Sequence, residues 1–346
     1  MDKPKISFVV PVYKSENYIR RCLDSLINQT LEDIEIVCVN DGSPDNSLNI
    51  LREYEEKYSN IKVISKENGG VWYARLDGVK AADGEYIGFL DADDYVEKDF
   101  AKLMYESVIK NQSDIAVCGF KRIDEETKKI LSQEMKHSSS RVIYMDKNPE
   151  EIISVNTALW NKIYKADVLK ATFNVQSPPR ILEDAMFISL VYINAHKISF
   201  VDEYLHNYMV INGSAMHSLR SNDIVKIKES MLEVKEEYLK ANLRKEMMEI
   251  LSSFVFLHLG ISLMLNVYTF DKANFKSEYK QILNYLDSNF GEWRSTKYTT
   301  IWYNLTHKKY NLKVAIVRKV YKMHMFKAFL DIYSFVTKTL KIDIKW

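Results

Sequence analysis

The sequence predicts an α/β fold, in which a mostly parallel sheet has helices on both faces and an all-helical region follows. Over the first hundred residues, short and almost entirely apolar segments alternate with amphipathic helical segments. Strands of this kind, when helices connect them, are typical of a parallel sheet that is covered on both faces. From about residue 222 onward, only helical periodicity remains. We therefore expect two domains, residues 1–220 and residues 221–346.

The predicted elements can be placed along the chain. Strands are expected at 6–12, 34–39, 61–64 and 86–90. Helices are expected between them, the first capped by Ser15 and the next two over 45–58 and 71–82. Beyond Phe120 we expect loop-helix segments at 158–169 and 178–194, and strands at 197–201 and 204–211. The helices of the second domain are expected at 222–242, 245–268, 274–290 and 310–341.

Composition excludes some classes of protein. The 346 residues are 47% apolar and carry 48 basic and 47 acidic side chains, a net charge of +1. This balance argues against a nucleic-acid-binding protein that is basic throughout, and no nucleic-acid partner is expected. The charge is unevenly distributed, because Thr306–Trp346 contains ten Lys or Arg and two Asp or Glu, a net charge of +8. Such asymmetry indicates an interaction surface.

The three cysteines, Cys22, Cys38 and Cys118, indicate a reducing compartment. Their odd number and wide spacing argue against a disulfide framework and against a zinc site. The N-terminal residues lack the basic region and the long apolar region of a secretory signal. We therefore expect a cytoplasmic chain, and a peripheral position on the inner face of the cell membrane is one interpretation of its basic C-terminal segment.

One apolar segment is long enough to span a bilayer. Residues 250–270 contain no Asp, Glu, Lys or Arg. However, His258, Ser262 and Asn266 recur every four residues and form one polar stripe along the predicted helix. We therefore expect a buried or interfacial helix rather than a membrane-spanning one.

Polar clusters follow three of the predicted strands. They are Pro11-Val12-Tyr13, Asn40-Asp41-Gly42-Ser43 and Asp91-Ala92-Asp93-Asp94. In open α/β sheets, ligands bind outside the carboxyl ends of the strands. The three clusters are therefore expected to form one site.

Asp91 and Asp93 place two carboxylates two residues apart at a strand end. Once the chain leaves strand geometry, both can turn toward one point. Hard oxygen ligands suit Mg²⁺ or Mn²⁺, and such an ion can bridge to a diphosphate and stabilise it as a leaving group. The alternative is a solvated acidic turn that caps the next helix.

Two further carboxylate positions have both a functional and a structural interpretation. Asp41 can accept the N3–H of a uracil ring, or it can form an Asx turn while Asp45 caps the next helix. Glu183 and Asp184 stand where a helix is expected to start. The helix dipole favours carboxylates there, whereas the functional interpretation makes one of them a general base.

Three long segments together resemble family-2 glycosyltransferases of the GT-A fold. They are SFVVPVYKSENYIRRCLDSLINQT, IEIVCVNDGSPDNS and ENGGVWYARLDGVKAADGEYIGFLDADD, whose order and spacing match the family over residues 4–100. A weaker resemblance continues in LWNKIYK, LEDAMF and YLHNYMVINGSAMHS. These are similar to the acceptor half of bacterial cell-surface polysaccharide and glycoprotein members. The resemblance implies a GT-A fold for the first domain.

The resemblance also implies roles for the matching residues in binding the donor. The nucleotide pocket would be lined by Pro11, Val12, Tyr13 and Glu16, and Asp41 would read the uracil. The remaining donor contacts would come from Asn68 and Gly69 beneath the nucleotide, Arg75 near the diphosphate, and Asp91, Ala92 and Asp93 at the metal and the sugar.

Three downstream residues have implied roles in transfer. Asp184, of the Glu183-Asp184 pair, would be the catalytic base. Trp160 would offer an apolar ring face to an acceptor sugar. His217 would be a third metal ligand, beside Asp91 and Asp93, unless it is a surface-loop histidine.

The activity that the resemblance implies is that of an inverting glycosyltransferase dependent on Mn²⁺ or Mg²⁺. The donor would be UDP-galactose, UDP-glucose or one of their N-acetyl forms, and the acceptor a lipid-linked or protein-linked glycan. One alternative is a catalytically inactive GT-A module that binds a sugar or a partner, but such a relative would be expected to lose Asp93 or Asp184. Another is a nucleotidyltransferase, which would need a glycine-rich, basic loop where this chain has Tyr13-Lys14-Ser15-Glu16.

The basic C-terminal segment also has two interpretations. The apolar residues that recur at helical spacing are Val314, Val317, Tyr321, Phe326, Phe329, Tyr333 and Val336. Basic residues alternate with them, namely Lys313, Arg318, Lys319, Lys322 and Lys327. The segment is either a helix docked on the helical domain with a solvated edge, or a surface that meets an anionic membrane leaflet.

Overall fold

The computed structural model describes residues 3–172, 178–211, 221–307 and 312–340, which fall into two compact units. The first unit contains residues 1–147, 157–176 and 190–213. The second contains residues 148–156, 177–189 and 214–346, and so includes two segments from within the expected first domain. The division into domains at residue 220 stays a prediction.

The first unit is built on a ten-stranded mixed sheet. In chain order the strands are β1 (Ile6–Val12), β2 (Ile34–Asp41), β3 (Ile61–Lys66), β4 (Tyr86–Phe89), β5 (Tyr95–Val96), β6 (Ile115–Asp124), β7 (Ile130–Glu134), β8 (Val142–Tyr144), β9 (Lys162–Lys165) and β10 (Lys197–Val210). Their order across the sheet is β3-β2-β1-β4-β9-β6-β10-β5, with β7 on β6 and β8 on β10. Neighbours among β1 to β4 are all parallel, which confirms the predicted parallel sheet.

Helices connect these strands and cover the sheet. They are α1 (Ile19–Ile27), α2 (Ser47–Lys57), α3 (Val71–Ala81), α4 (Phe100–Asn111) and α5 (Ala166–Lys170). A further helix, α6 (Glu183–Asn194), precedes β10 and is divided between the two units after Ser189. Helix α1 shows why they pack on the sheet. Its residues at helical spacing, Ile19, Cys22, Leu23 and Leu26, are all completely buried against a core that includes Phe8.

The first helix does not begin as predicted. Its N-cap position is Tyr18, which makes no side-chain capping bond, and the Ser15 hydroxyl instead donates to the Tyr13 carbonyl. The Ser15 carbonyl accepts from the amides of Tyr18 and Ile19, so a backbone turn takes over the capping. The expected cap at Ser15 is therefore wrong.

The central strands differ most from the sequence pattern. The segment 158–169 was expected to be loop and helix but contains β9, which is antiparallel to both β4 and β6. The two strands expected at 197–201 and 204–211 form the single strand β10, with irregular register between Val201 and His206. The acidic pair Asp202 and Glu203 interrupts the apolar alternation there, although the chain stays extended.

The second unit is helical. Its α-helices are α7 (Ser221–Lys240), α8 (Lys245–Val255), α9 (Met264–Phe270), α10 (Phe275–Asn289), α11 (Ile301–Thr306), α12 (Leu312–Lys322) and α13 (Phe326–Leu340). Short 3₁₀ segments occur at Pro149–Ser154 and Gly291–Arg294, and Phe256–Leu263 is a π-helix. In its core, Trp293 stacks on Phe256 with ring centroids 4.4 Å apart, and Tyr321 packs edge-on against both rings. The predicted helical C-terminal region is therefore confirmed.

The long helix expected over 310–341 is two helices. Helix α12 ends where His324 adopts a left-handed conformation with φ +56°. The Met325 amide donates to the Val320 carbonyl and the His324 amide to the Tyr321 carbonyl, which is the hydrogen-bond pattern of a Schellman C-cap. Glycine normally occupies that position, so the end of this helix has no sequence signal.

The apolar segment 250–270 lies within the second unit. Among the described residues, one helix, Lys245–Phe270, is long and apolar enough to cross a membrane, and 72% of its most apolar window is buried inside the protein. The stripe of His258, Ser262 and Asn266 is half-buried, whereas most of the other residues of the segment are buried. This packing is consistent with the expected buried or interfacial helix.

Candidate active site

The first unit brings the three predicted polar clusters to one edge of its sheet. Strand β1 lies between β2 and β4 and runs parallel to both. The carboxyl ends of parallel strands meet at the same edge, so the residues that follow Val12, Asn40 and Leu90 are neighbours.

Asp41 organises the turn that follows β3. Its carboxylate is almost completely buried and accepts hydrogen bonds from the amides of Gly69 at 2.8 Å and Gly70 at 2.7 Å. Asn68 donates its side-chain amide to the Asp41 carbonyl at 2.9 Å. Gly42 follows with φ +63°, where a Cβ atom would lie 2.7 Å from the Asn68 amide nitrogen, so only glycine fits. The Asp41 carboxylate therefore accepts from Gly69 and Gly70, in a distant segment, instead of forming an Asx turn in its own loop. The role of Asp41 in reading the uracil stays a prediction.

Hydrogen bonds join the loop after β1 to the loop after β2. The Lys14 amide donates to the Ser43 hydroxyl at 2.7 Å, and the Glu16 amide donates to the Asp45 carboxylate at 3.1 Å. Glu16 in turn accepts from the Asn46 amide at 2.9 Å. Serine hydroxyls and backbone amides donate to Asp45, so its pKa falls to about 2 although burial acts in the opposite direction.

Pro11, Val12 and Tyr13, which were predicted to line the nucleotide pocket, differ in exposure. Pro11 is half-buried, Val12 is buried in the core, and Tyr13 is 46% exposed. Of the three, the Tyr13 ring is therefore the side chain that is freely accessible. The roles of these residues and of Glu16 stay predictions.

Asp91, Ala92, Asp93 and Asp94 form a tight turn directly after β4. The Asp94 amide donates to the Asp91 carbonyl at 3.0 Å. The turn leads into strand β5 rather than into a helix, so the alternative that it caps the next helix is wrong. Ala92 is buried, whereas Asp91 and Asp93 are half-buried.

The two carboxylates at this turn have different surroundings. Asp91 accepts from the buried guanidinium of Arg75, on α3, with Nη2 3.0 Å from its carboxylate oxygen. Burial and the neighbouring charges of Asp94 and Asp91 together raise the pKa of Asp93 to about 7. Negative charge at Asp93 is thus poorly compensated by the protein, which is the condition under which a bound cation stabilises a site.

This donor set fits Mg²⁺ or Mn²⁺. Within residues 3–172, 178–211, 221–307 and 312–340, no three His, Cys, Asp or Glu side chains form a metal-binding group. Magnesium in nucleotide sites is usually held by one or two carboxylates, with substrate phosphates and water completing its octahedron. Asp93 is the better ligand because Arg75 already neutralises Asp91. His217, the predicted third ligand, lies outside the described residues.

The sequence did not reveal the role of Asp94 and His206. Asp94 is completely buried and accepts from the Met209 amide at 2.8 Å, and it lies 2.9 Å from Nε2 of His206 on β10. Burial lowers the pKa of His206 to about 3 and raises that of Asp94. These bonds tie the Asp91–Asp94 turn to β10.

Trp160, the predicted acceptor contact, packs beside this pair. Its ring is buried and stacks on His206 with centroids 4.1 Å apart, and on Tyr208 at 5.4 Å. The ring of Phe120 meets it edge-on. Trp160 therefore supports the buried His206, and its contact with an acceptor stays a prediction.

Arg21, on α1, is a second residue that the sequence did not single out. Its guanidinium donates to the Asp93 carbonyl at 2.6 Å and to both carboxylate oxygens of Glu125 at 3.1 Å. Because the guanidinium group is planar, these hydrogen bonds fix the orientation of the Arg21 side chain as well as its distance from its partners. Arg21 thus holds the backbone of the carboxylate turn, and no periodicity in α1 distinguishes it from the solvated Arg20.

Glu183 and Asp184 occupy the first turn of α6, and both are half-buried. Leu182, immediately before them, has φ +64°, a conformation that leucine rarely adopts and that fixes how the chain enters the helix. The expected helix start is confirmed. The general-base role of Asp184 stays a prediction.

Comparison with known proteins is consistent with these features. Residues 7–173 match the family described as glycosyl transferase family 2. EpsH of Bacillus subtilis (strain 168), which bears a glycosyltransferase name, is 32% identical over 277 residues, covering 76% of this chain and 78% of EpsH. A poly(ribitol-phosphate) beta-glucosyltransferase of Bacillus spizizenii is 39% identical over 216 residues, which is 60% of this chain but only 32% of that relative.

A solved structure shares the fold. The crystal structure of S. aureus TarS 1–349 in complex with UDP-GlcNAc superposes with a TM-score of 0.71 at 24% identity. The match covers 92% of each chain. The architecture of the sheet and of the helical region that follows it therefore recurs in that protein.

Proposed function

We propose that this chain, which belongs to glycosyl transferase family 2, transfers a sugar from a UDP-sugar to a hydroxyl group of a growing bacterial surface glycan. The observation that carries the proposal is the meeting of Asp41, Asp91 and Asp93 at the carboxyl ends of neighbouring parallel strands. The TarS complex with UDP-GlcNAc and the name of the Bacillus spizizenii relative support the donor and the polymeric acceptor.

In this proposal the donor lies along the edge of the sheet. The uridine occupies the ends of β1 and β2, with its uracil near Asp41 and the turn of Asn68 and Gly69 beneath it. The diphosphate lies toward Arg75, whose guanidinium is buried and already aligned by Asp91. A guanidinium held in this way stabilises a developing negative charge without first having to reorganise.

Asp93 and Asp91 would hold the divalent cation. A bound Mn²⁺ or Mg²⁺ supplies positive charge that offsets the charge developing on the departing diphosphate. The uncompensated environment of Asp93 supports this assignment, because a cation there relieves the repulsion among three neighbouring carboxylates.

Transfer requires one proton acceptor. Asp184 takes the proton of the acceptor hydroxyl, and the hydroxyl oxygen forms a bond to the anomeric carbon of the donor sugar. The bond from that carbon to the diphosphate oxygen breaks, and its electron pair leaves with UDP. Because attack and departure occur on opposite faces of the carbon, the anomeric configuration is inverted.

We place the reaction in the cytoplasm, with a lipid-linked or protein-linked glycan as the acceptor. Two observations support the cytoplasmic placement. Cys22, Cys38 and Cys118 are all free and buried. Burial raises the pKa of Cys38 and of Cys118 to about 12, so these thiols remain protonated and unreactive.

The test is a screen of nucleotide sugars against the purified chain. UDP-GlcNAc, UDP-glucose, UDP-galactose and UDP-GalNAc are compared with GDP-mannose by thermal stabilisation and by release of free nucleotide, with and without Mn²⁺. We expect metal-dependent stabilisation by at least one UDP-sugar and slow hydrolysis of the same donor. Binding without turnover, with and without oligosaccharide acceptors, would favour the inactive sugar-binding module instead.

A further inference from the structure

Helix α12 is apolar on two opposite faces. One face is buried and consists of three apolar residues at helical spacing, Val314, Val317 and Tyr321. On this face the Tyr321 hydroxyl donates to the Gly260 carbonyl. A second row is exposed, with Leu312 and Ile316 on the other side of the helix and Met323 in the turn directly after it. The spacing of four residues places Leu312 and Ile316 on one face. The helix therefore packs with one apolar face and leaves another open to solvent.

Lysines border the exposed row. Lys319 lies within it, and Lys313 and Lys322 flank it on either side at helical spacing, all three exposed. An apolar stripe bordered by lysines is the pattern of a helix that lies in a membrane interface. Such lysines can keep their charge in water while their methylene stems cover apolar surface.

The neighbouring helices in the chain also carry exposed apolar side chains. In α13, Ile332 and Phe335 are three residues apart and are 66% and 71% exposed. In α11, Trp302 and Leu305 have the same spacing and are 72% and 62% exposed. Aromatic and large aliphatic side chains with this exposure are unusual on three consecutive helices and indicate an interaction surface.

Not every basic residue of the segment belongs to this surface. Arg318 is buried and donates to the carbonyls of Thr296 and Arg294 and to the Thr299 hydroxyl. Burial lowers its pKa to about 10. Lys327 is paired with Asp331 at 3.0 Å. Among the basic residues of this segment that the structure describes, those that border the apolar row are therefore on α12.

We propose that the outer faces of α12 and α13 bind the surface of an anionic lipid bilayer, without spanning it. The lysines recognise lipid phosphates, and Ile316, Met323, Ile332 and Phe335 enter the headgroup region. Residues Thr306–Trp346 carry a net charge of +8, which complements an anionic leaflet and opposes association with a second copy of the same surface. A polyanionic glycan would match the charge but not the exposed apolar row.

The experiment uses the full chain, two test variants and two matched control variants, and each variant carries two substitutions. Binding is measured by co-sedimentation with phosphatidylcholine vesicles, with and without phosphatidylglycerol, at low and high salt. Lys319→Glu with Lys322→Glu tests the charge, and Ile332→Ser with Phe335→Ser tests the apolar contact. The matched controls are Lys102→Glu with Lys110→Glu on α4, and Ile130→Ser with Leu131→Ser on β7, all of which are exposed. Circular dichroism melting confirms that each variant is folded.

We expect salt-sensitive binding to the anionic vesicles only. The charge variant should weaken it at least about tenfold, since each basic group near such a surface contributes several-fold. The apolar variant should weaken it at both salt concentrations, and the two control variants should bind like the parent chain. Hydrolysis of the nucleotide sugar in solution should be the same for all five proteins, so the result does not depend on the proposed function.

Three outcomes would overturn the proposal. One is the absence of binding by the parent chain at low salt. Another is equal weakening by the control variants. The third is displacement from vesicles by a soluble polyphosphate while the apolar variant binds normally, which would identify the surface as a site for an anionic polymer. If the first outcome is accompanied by a dimer that the same variants disrupt, the surface belongs to the contact with a second copy of the chain.

Discussion

Nε2 of His206 lies 2.9 Å from a carboxylate oxygen of Asp94, and both side chains are completely buried. The other Asp94 oxygen accepts the Met209 amide, so a single carboxylate joins the carboxylate turn to the strand β10. Because Asp94 follows Asp93 directly, this bond positions a proposed metal ligand without touching the substrate.

Replacing His206 should therefore destabilise the protein. His206→Phe keeps a ring that can stack on Trp160 but leaves Asp94 without this partner, and we expect a loss of about 1–3 kcal/mol of unfolding free energy. His206→Gln retains an amide that can reach Asp94 and should cost less. Denaturant unfolding measures both variants. Equal stability of the two would show that the bond to Asp94 contributes nothing.

Asp93 should be needed for activity but not for folding. Asp93→Asn removes a charge that is destabilised by its neighbours, so the melting temperature should stay the same or rise. Transfer should fall by roughly 10²–10³-fold, as for the loss of one charge-stabilising group. EDTA should abolish transfer by the parent chain, and Mn²⁺ or Mg²⁺ should restore it. Full activity in EDTA would remove the metal from the proposal.

Asp184 is predicted to act as the general base. Asp184→Asn removes the proton acceptor with little change in shape, so kcat should fall by roughly 10²–10⁴-fold. Affinity for UDP, measured by calorimetry, should barely change. Glu183→Gln, at the neighbouring position of the same helix turn, is the matched control and should remain active. The reverse pattern would assign the base to Glu183.

His258 should make the protein less stable in acid. Burial lowers its pKa to about 4, against an ordinary value of 6.5, so the unfolded chain binds a proton over a range where the folded chain does not. The stability that its neutral form contributes is present above pH 6.5 and is lost as the pH falls toward 4. Between pH 7 and pH 5 the loss amounts to about 2 kcal/mol.

The control for this pH effect is His258→Gln, which cannot titrate in that range. Its unfolding free energy is measured by denaturant at both pH values. From pH 7 to pH 5 this free energy should decrease by about 2 kcal/mol less in the variant than in the parent chain. If the two proteins lose stability in parallel, other groups cause the acid sensitivity.

Local patterns were sufficient to place the strands β1 to β4 and the helices between them. The strands β1 to β4 are nearly continuous apolar runs, and each helix between them buries one face, so both periodicities can be read within a short window. The convergence of Asp41 with Asp91 and Asp93 follows from the same reading, because parallel strands place their carboxyl ends together. The helical nature of residues 221–340 was also predictable.

The end of α12 shows where local patterns were insufficient. Neither glycine nor proline marks it, although His324 takes a left-handed conformation with φ +56°. The same holds for the outer row of Ile316 and Met323. Apolar residues on both faces of a helix do not reveal which face is buried until the neighbouring helices are placed.

By itself, the sequence determined the parallel α/β sheet, the carboxylate clusters at its edge and the family resemblance, since all three depend on residues close together in the chain. Only the tertiary structure decided how the carboxylate turn is held. Arg21 and Glu125 are 104 residues apart, and Asp94 and His206 are 112 apart. No periodicity links positions so distant. Their pairing is decided by strand order and by the requirement that a buried charge have a partner.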